Sequence, residues 1–296
     1  MRISVMPWAL AALTTLTPVL SLAAQDADAE REEAIRRFRS ISWSDGPSTN
    51  YFGEEAQIDV PEGCRFTGAE GTRVFMEINQ NPTDGDERGT VLCRGPEEDS
   101  GTWFVVFTYR GSGYVKDDER GEIDADQLLA RMRKGVKHGN RQRSERGWET
   151  LELDGWQRAP YYDQRTNNLT WGLRLIDQSG DTTINHSVRL LGRGGVMEVD
   201  LVADPAVAEA AIPEFDLMLE QFSYKPGQRY AEWRAGDKVA EYGLTALIAG
   251  GVGAAAAKSG ILAKFGKGII AAILAAIAGL RSLAGRLFGR KGDATA

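Results

Sequence analysis

In the middle of the chain, apolar positions recur at two distinct spacings. Leu169, Trp171, Leu173 and Leu175 alternate with Thr170, Gly172 and Arg174, and Ile184, His186, Val188 and Leu190 alternate with Asn185, Ser187 and Arg189. Alternation sends successive side chains to opposite faces of an extended backbone, so both runs predict strands. Turns are expected at Gln178 to Asp181 and Gly192 to Gly195, followed by a further strand from Val196 to Ala203. Upstream, Leu151 and Leu153 precede Asp154-Gly155, a two-residue hairpin signal from which Trp156 to Tyr162 would return. The expected outcome is an antiparallel meander.

The nearly all-apolar run Trp103 to Tyr109 has strand length and suits a central strand buried on both faces. Shorter strands are expected at Gln57 to Val60, Thr72 to Ile78, Thr90 to Arg94 and Gln221 to Lys225, with a polar loop from Asn79 to Gly89. Helical spacing appears elsewhere. Asp124 with Gln127 forms a capping box, Ile123 and Leu128 form a staple, and Leu128, Leu129, Met132 and Val136 continue one apolar face toward a stop at Gly139-Asn140. Asp204-Pro205 opens a second helix, which Pro213 either kinks or divides before about Glu220. Gln25 to Phe38 is also helix-compatible, and Ser40 to Gly53 reads as a connection. This order of elements predicts an α+β domain: a twisted antiparallel sheet with helices on one face, followed by a C-terminal transmembrane or amphipathic helical tail. No repeat at a fixed period is visible.

The two ends depart from this pattern. Arg2, the apolar run Val5 to Leu20 and the small residues Ser21 to Ala24 read as a signal peptide. At the other end, Tyr242 to Ala257 carries no charge, and Lys258, Lys264, Lys267, Arg281, Arg286, Arg290 and Lys291 then face a single acid, Asp293. A spanning helix needs about 20 apolar residues. One crossing from Val239 to Leu262, with snorkelling at Lys258, leaves every later cation on the cytoplasmic side, as the positive-inside bias prefers. The remaining tail would lie on the inner face as a basic amphipathic segment. The expected anchor includes Tyr242, Gly243, Leu244, Leu247, Ile248, Gly250, Gly251 and Val252. Small residues every four positions, Ala246, Gly250 and Ala254 and then Ala271, Ala275 and Gly279, suit a homo-oligomer packed through the tail. The expected organisation is a signal peptide over 1–23, an N-terminal helix and linker over 24–53, a periplasmic α+β domain over 54–238 and the anchor with its basic tail over 239–291. Membrane lipid is thus an expected partner, and the bacterial inner membrane the expected location.

Composition narrows the chemistry. The 296 residues carry a formal net charge of −7 with two histidines and two cysteines. Cys64 and Cys93 suit a disulfide in an oxidising compartment. His138 lies at a helix end, and His186 falls in phase with apolar neighbours, so neither suggests catalysis or zinc. Two acidic stretches, Asp84-Gly85-Asp86-Glu87 and the residues Asp117, Asp118, Glu119, Glu122, Asp124 and Asp126, lack the calcium-loop pattern. No metal and no cofactor are expected. Trp148, Trp156, Tyr161, Tyr162 and Trp171 would be able to line a saccharide or peptide groove beside two catalytic carboxylates, though core packing is the simpler reading. A basic patch, Arg131, Arg133, Lys134, Lys137, Arg141, Arg143 and Arg146, lies in an otherwise acidic body, which argues against nucleic acid.

Four segments carry a resemblance: GYVKDDE (Gly113 to Glu119), WQRAPYYDQRTNNLTWGL (Trp156 to Leu173), NHSVRLLGR (Asn185 to Arg193) and YKPGQRYAEWRAGDKVAEYGLTALIAGG (Tyr224 to Gly251). In this order they resemble the bacterial predicted membrane-anchored proteins of domain-of-unknown-function family 2167, over most of the chain after about residue 40. The resemblance implies an exported domain with a C-terminal anchor and transfers no catalytic residue. The favoured function is a non-enzymatic binding or scaffolding module at the inner membrane, with an unknown protein partner. The alternative is a cell-envelope hydrolase or ligand-binding protein acting on a glycan or peptide.

Overall fold

The computed structural model describes residues 31–249 apart from 80, 82, 95–100 and 146. The chain divides into two compact units, Met1–Ser40 and Ile41–Ala296. In the first, residues 31–39 form helix α1, on which Glu33 and Arg36 pair one turn apart. The expected signal peptide over 1–23 lies outside the described residues, as does the tail from 250 onward.

The second unit begins with β1 (Ser44–Asp45), β2 (Ser48–Phe52), β3 (Ala56–Val60), β4 (Cys64–Gly68), α2 (Ala69–Ile78), β5 (Glu87–Arg94) and β6 (Thr102–Arg110). After a 3-10 turn at Asp118–Gly121 come α3 (Ala125–Glu145), β7 (Leu151–Asp163), β8 (Asn168–Asp177), β9 (Thr182–Leu191) and β10 (Val196–Ala203). The described part ends with α4 (Pro205–Glu220), β11 (Phe222–Tyr224), a second 3-10 turn at Tyr230–Glu232 and the short α5 (Leu244–Ile248). Eight strands form one sheet in the order β1-β4-β5-β6-β10-β9-β8-β7, and β11-β3-β2 form a second. Every named strand pair is antiparallel. The chain therefore has the mixed α+β architecture with a large antiparallel sheet, and its second half is the meander β7-β8-β9-β10.

Strand β6 sits fourth in the large sheet, and its alternation builds two cores. Trp103, Val105 and Phe107 join a buried cluster with Val207, Ala208, Ala211, Ile212, Phe215 and Met218 of α4 and with Phe52 and Ile58 of the small sheet. Phe52 stacks on Phe107 with ring centroids 4.6 Å apart. On the opposite face of β6, Phe104 meets Phe75 of α2 edge to face at 5.1 Å. Helices therefore flank both faces, not one. A strand apolar at every position has two sides to cover, and each recruits its own helix. The Tyr224 phenol ties the small sheet to the meander, accepting from the Met197 N–H at 2.9 Å and donating to the Leu190 carbonyl at 2.7 Å.

Cys64 and Cys93 stand directly opposite each other on β4 and β5 and are joined by a disulfide, with Cα atoms 4.1 Å apart.

Five further expectations are corrected. The predicted strand Thr72 to Ile78 belongs to helix α2: Thr72, Phe75, Met76 and Asn79 are buried while Arg73 and Glu77 are exposed, which is helical spacing. Gly71 permits its close approach, because a Cβ there would lie 1.9 Å from Thr67 Oγ1. Asp154-Gly155 makes no hairpin. Strand β7 runs straight through it, with the register shifting between Leu153 and Gly155, so the pair serves as a bulge within one strand. Asp154 is fixed there by Arg174 at 2.9 Å, and its carbonyl by Arg133. Helix α3 continues past Gly139-Asn140 to Glu145, and the left-handed residue that ends it is Gly147, at φ 71°. The connection expected over Ser40 to Gly53 contains β1 and β2. Pro213 does not divide the second helix, since α4 runs through it as a single helix.

Asn140 explains why α3 does not stop early. Its side-chain amide donates to the Leu151 carbonyl at 2.7 Å and accepts from the Leu151 N–H at 3.0 Å, acting as a neighbouring strand would. Strand β7 ends the sheet, and α3 covers part of its open edge.

Candidate functional site

Two features stand out, the first of them on the sheet face that α2 shares. The first is a row of charge crossing three adjacent strands and ending against a tryptophan on the fourth. Arg110 of β6 donates to Glu198 Oε2 of β10 at 3.1 Å and to Asp84 and Asp86 at 2.7 and 2.8 Å. Arg189 of β9 stands opposite Glu198, at 3.8 Å, and donates to Asp200 at 3.0 Å. Ser187 donates to the same carboxylate at 2.6 Å, and the Trp171 ring of β8 lies 4.7 Å from the Arg189 guanidinium carbon. Arg189 and Glu198 are 1% and 4% exposed, so these are charges removed from water. Burial alone would lower the Arg110 pKa; Glu198, Asp84 and Asp86 more than offset it and hold the guanidinium ionised above its ordinary range.

The second feature is a strap. From Lys225 to Ala249 the chain leaves β11 and docks on the loop after β6. Arg193 N–H donates to the Gln228 carbonyl at 2.8 Å, and its guanidinium grips Asp237 through two bonds of 2.7 Å. Tyr114 N–H donates to the Lys238 carbonyl at 2.8 Å, and Ala240 N–H returns a bond to Tyr114 at 2.9 Å. Tyr114 stacks on Tyr230 at 4.4 Å and lies 5.3 Å from Trp233. Tyr230 donates to the Val115 carbonyl. At the far end, Glu119 of the first 3-10 turn accepts from Thr245 N–H at 3.1 Å and from its hydroxyl at 2.7 Å. Tyr242 reaches back toward the charged row: burial pushes its phenol up to about 12, Ser112 pulls the other way, and the Glu198 charge adds to the rise.

The acidic loop at Asp84 to Glu87 supports this row. Glu87 folds onto the Asp84 and Gly85 amides at 2.9 and 3.0 Å, turning both aspartates toward Arg110. Among the described residues no group of three or more histidine, cysteine, aspartate or glutamate side chains is placed to hold a metal ion. The second acidic stretch is divided between capping duties, Asp124 receiving the Gln127 amide at 2.9 Å and Glu119 holding the strap.

The aromatics expected to line a groove are not brought together. Trp171 is buried under Arg189, Trp156 donates to the Ala125 carbonyl at 3.2 Å, and Trp148 packs by Arg143. Tyr161 is exposed near Arg158, and Tyr162 accepts from Asn167 at 3.1 Å. His186 is fully buried, with its ring edge to face on Phe215 at 5.8 Å; His138 is exposed beside Arg141. An open cleft of about 480 Å³ lies between α3 and β7–β8, with Val136, Leu151 and Ile176 as floor and Arg133, Lys137 and Glu152 at its sides.

Part of the expected anchor lies in the strap. Val239 bridges to Tyr114, and Leu244, Leu247 and Ile248 are buried. Tyr242 and Gly243 precede α5, and the Gly243 backbone comes so near Glu119 that a Cβ would lie 2.5 Å from its carboxyl carbon. Gly250, Gly251 and Val252 lie outside the described residues. No helix among the described residues is long and apolar enough to cross a membrane.

The family model for proteins of unknown function DUF2167 matches residues 45–281, four fifths of the chain. The chain belongs to this family. Two segments that carry the resemblance, Gly113 to Glu119 and Tyr224 to Gly251, contribute the two sides of the strap contact in this DUF2167 chain. No curated protein matches it. Among solved structures, it is similar to the cyanobacterial PsbP (CyanoP) of Synechocystis sp. PCC 6803, at 13% identity and TM-score 0.34, over 63% of this chain and 93% of that one. It is also similar to a Pseudomonas aeruginosa protein of unknown function described as a putative regulator, at 11% identity and TM-score 0.24, over 60% and 97% of the two chains. Neither likeness bears on function.

The charged row was missed in the sequence because alternation places Arg189 and Ser187 among the polar, outward positions of their strand. The available signal was Glu198 and Asp200, two acids two residues apart inside the otherwise apolar run Val196 to Ala203.

Proposed function

We propose that this DUF2167 chain is an exported, non-enzymatic binding or scaffolding module, held at the bacterial inner membrane by its C-terminal tail with the body in the periplasm. The strap is the observation that carries the reading. A flexible linker would let a tethered body swing freely, whereas here the segment entering the tail is bonded to the 111–121 loop and to the β9–β10 turn at both ends of its path. Beyond Ala249 the sequence turns to glycine, alanine and isolated cations, the composition of a membrane-associated segment. The disulfide between Cys64 and Cys93 agrees with an oxidising compartment.

Two measurements on the full-length chain test this. Alkaline carbonate should leave it in the membrane fraction, and release into the supernatant would overturn the tether. A reporter fused ahead of the strap should be active only outside the cytoplasm, and cytoplasmic activity would overturn export.

A further inference from the structure

The exposed side of α3 carries charge that the fold does not use. Arg131, Lys134 and Arg141 recur at three and ten residues from the first, along one line of the helix, and all are exposed, with the His138 ring between them accepting from Arg141. Lys137 flanks them. Between Asp126 and Glu145 the helix has six basic residues and no acidic one, in a chain of net charge −7. Arg133 and Arg143 have structural partners, the Leu153 and Glu149 carbonyls respectively. Among the described residues no salt bridge involves Lys134, Lys137 or Arg141.

Position makes the stripe informative. Thr245, at the last described turn before the tail, is held by Glu119, and α3 begins six residues after Glu119 at Ala125. The basic helix therefore begins six residues along the chain from the contact that holds the root of the tail. A helix of this length spans about 30 Å, enough to lie along a surface from which the tail emerges.

We propose that this stripe is a docking face for anionic phospholipid headgroups, which presses the body onto the bilayer in a fixed orientation. The inference rests on the membrane-tether reading above and adds a second, electrostatic contact to it. Charge complementarity selects the occupant: an acidic body repels an anionic surface except where cations are concentrated, and this helix is where the described structure concentrates them. Tethering raises the effective concentration of lipid at the helix, so a few cations suffice.

The test uses the full-length chain in vesicles, with a fluorophore on Ser144→Cys, attached without reductant so that the disulfide stays closed. Nitroxide-headgroup lipid should quench this label in vesicles containing phosphatidylglycerol and leave it bright in pure phosphatidylcholine. Each cation near an anionic surface favours docking about fivefold, so the K134Q/R141Q pair should shift the docking equilibrium by roughly 25-fold and restore fluorescence. Carbonate resistance, measured on the same samples, reads the tail independently. Retained protein without quenching overturns the docking face and leaves the tether standing; carbonate release overturns both. Equal quenching in neutral and anionic vesicles overturns the electrostatic contact. Protection of the label by added polyglutamate, with no quenching by lipid, assigns the face to an acidic protein and overturns the lipid assignment.

Discussion

Glu198 is the residue on which the buried row turns, since it faces Arg110 and Arg189 at once. Removing one member of a buried ion pair costs about 3 to 5 kcal/mol where the other charge is left alone; here Arg110 keeps Asp84 and Asp86 and Arg189 keeps Asp200, so the cost is smaller. Glu198→Ala should therefore lower the unfolding free energy of the full-length chain, read from urea titration in detergent, by about 1 to 3 kcal/mol, and an unchanged value would show that the row is dispensable. His186 makes the opposite prediction about charge. Burial, reinforced by Arg158 and opposed by Asp200, holds its pKa down at about 4 against an ordinary 6.5. The unfolded imidazole thus takes up a proton near pH 6.5 while the folded one does so only near pH 4. Stability from this residue is complete above pH 6.5 and is lost progressively as pH falls through that window, amounting to about 3 kcal/mol once pH is below 4. His186→Leu, which suits the Phe215 contact, should flatten the acid limb of the stability profile between those two values. An unchanged slope would refute the assignment.

Among the elements, α3 and the strap are held by different chemistry. Asn140 supplies two hydrogen bonds to Leu151 at the sheet edge. Asn140→Ala should cost about 2 kcal/mol and accelerate hydrogen exchange at Leu151, while exchange in β9 stays slow. The strap depends on Arg193 and Asp237, and the guanidinium holds the Asp237 carboxyl down to about 2. Its contribution is present above the ordinary carboxylate range and fades as pH drops through 2. Arg193→Ala should speed amide exchange at Ala240 and Tyr114 at neutral pH without unfolding the meander, and protection equal to wild type would mean the strap holds by stacking alone. Strands β8 and β9 were legible because apolar residues occupy every second position even though both faces of β9 are buried, and α3's start was legible because Asp124 accepts from the Gln127 amide locally. Helix α2 was not, since Thr72 to Ile78 satisfies both periods over so short a span, and only the packing of Phe75 on Phe104 decides between them. The strap was equally hidden: Tyr114 and Lys238 lie far apart in the chain, and nothing local marks them as partners. Apolar residues of the strap, Leu244 and Leu247, read as the start of an anchor because hydropathy does not distinguish a docked turn from a lipid-facing one.

For the whole molecule, the disulfide links fold to location. Cys64 and Cys93 are 29 residues apart and face each other across β4 and β5. Closing a loop of this size stabilises by about 3 to 4 kcal/mol on the chain-entropy model, a sizeable fraction of the roughly 5 to 15 kcal/mol available to a domain. A body that folds in a reducing cytosol would forgo that contribution, whereas an exported one would retain it. Trapping thiols in intact cells separates the two cases: a maleimide added at lysis, before any reductant, should leave the full-length chain unlabelled, and labelling should reach both cysteines only after reduction. The two strands should also respond, with Cys64→Ala/Cys93→Ala lowering the unfolding free energy from urea titration by an amount matching the loop estimate while leaving the β7–β10 meander protected from exchange. Two thiols labelled at lysis would place the body on the reducing side of the membrane, and the tether, the exported orientation and the α3 lipid face in that orientation would have to be abandoned together.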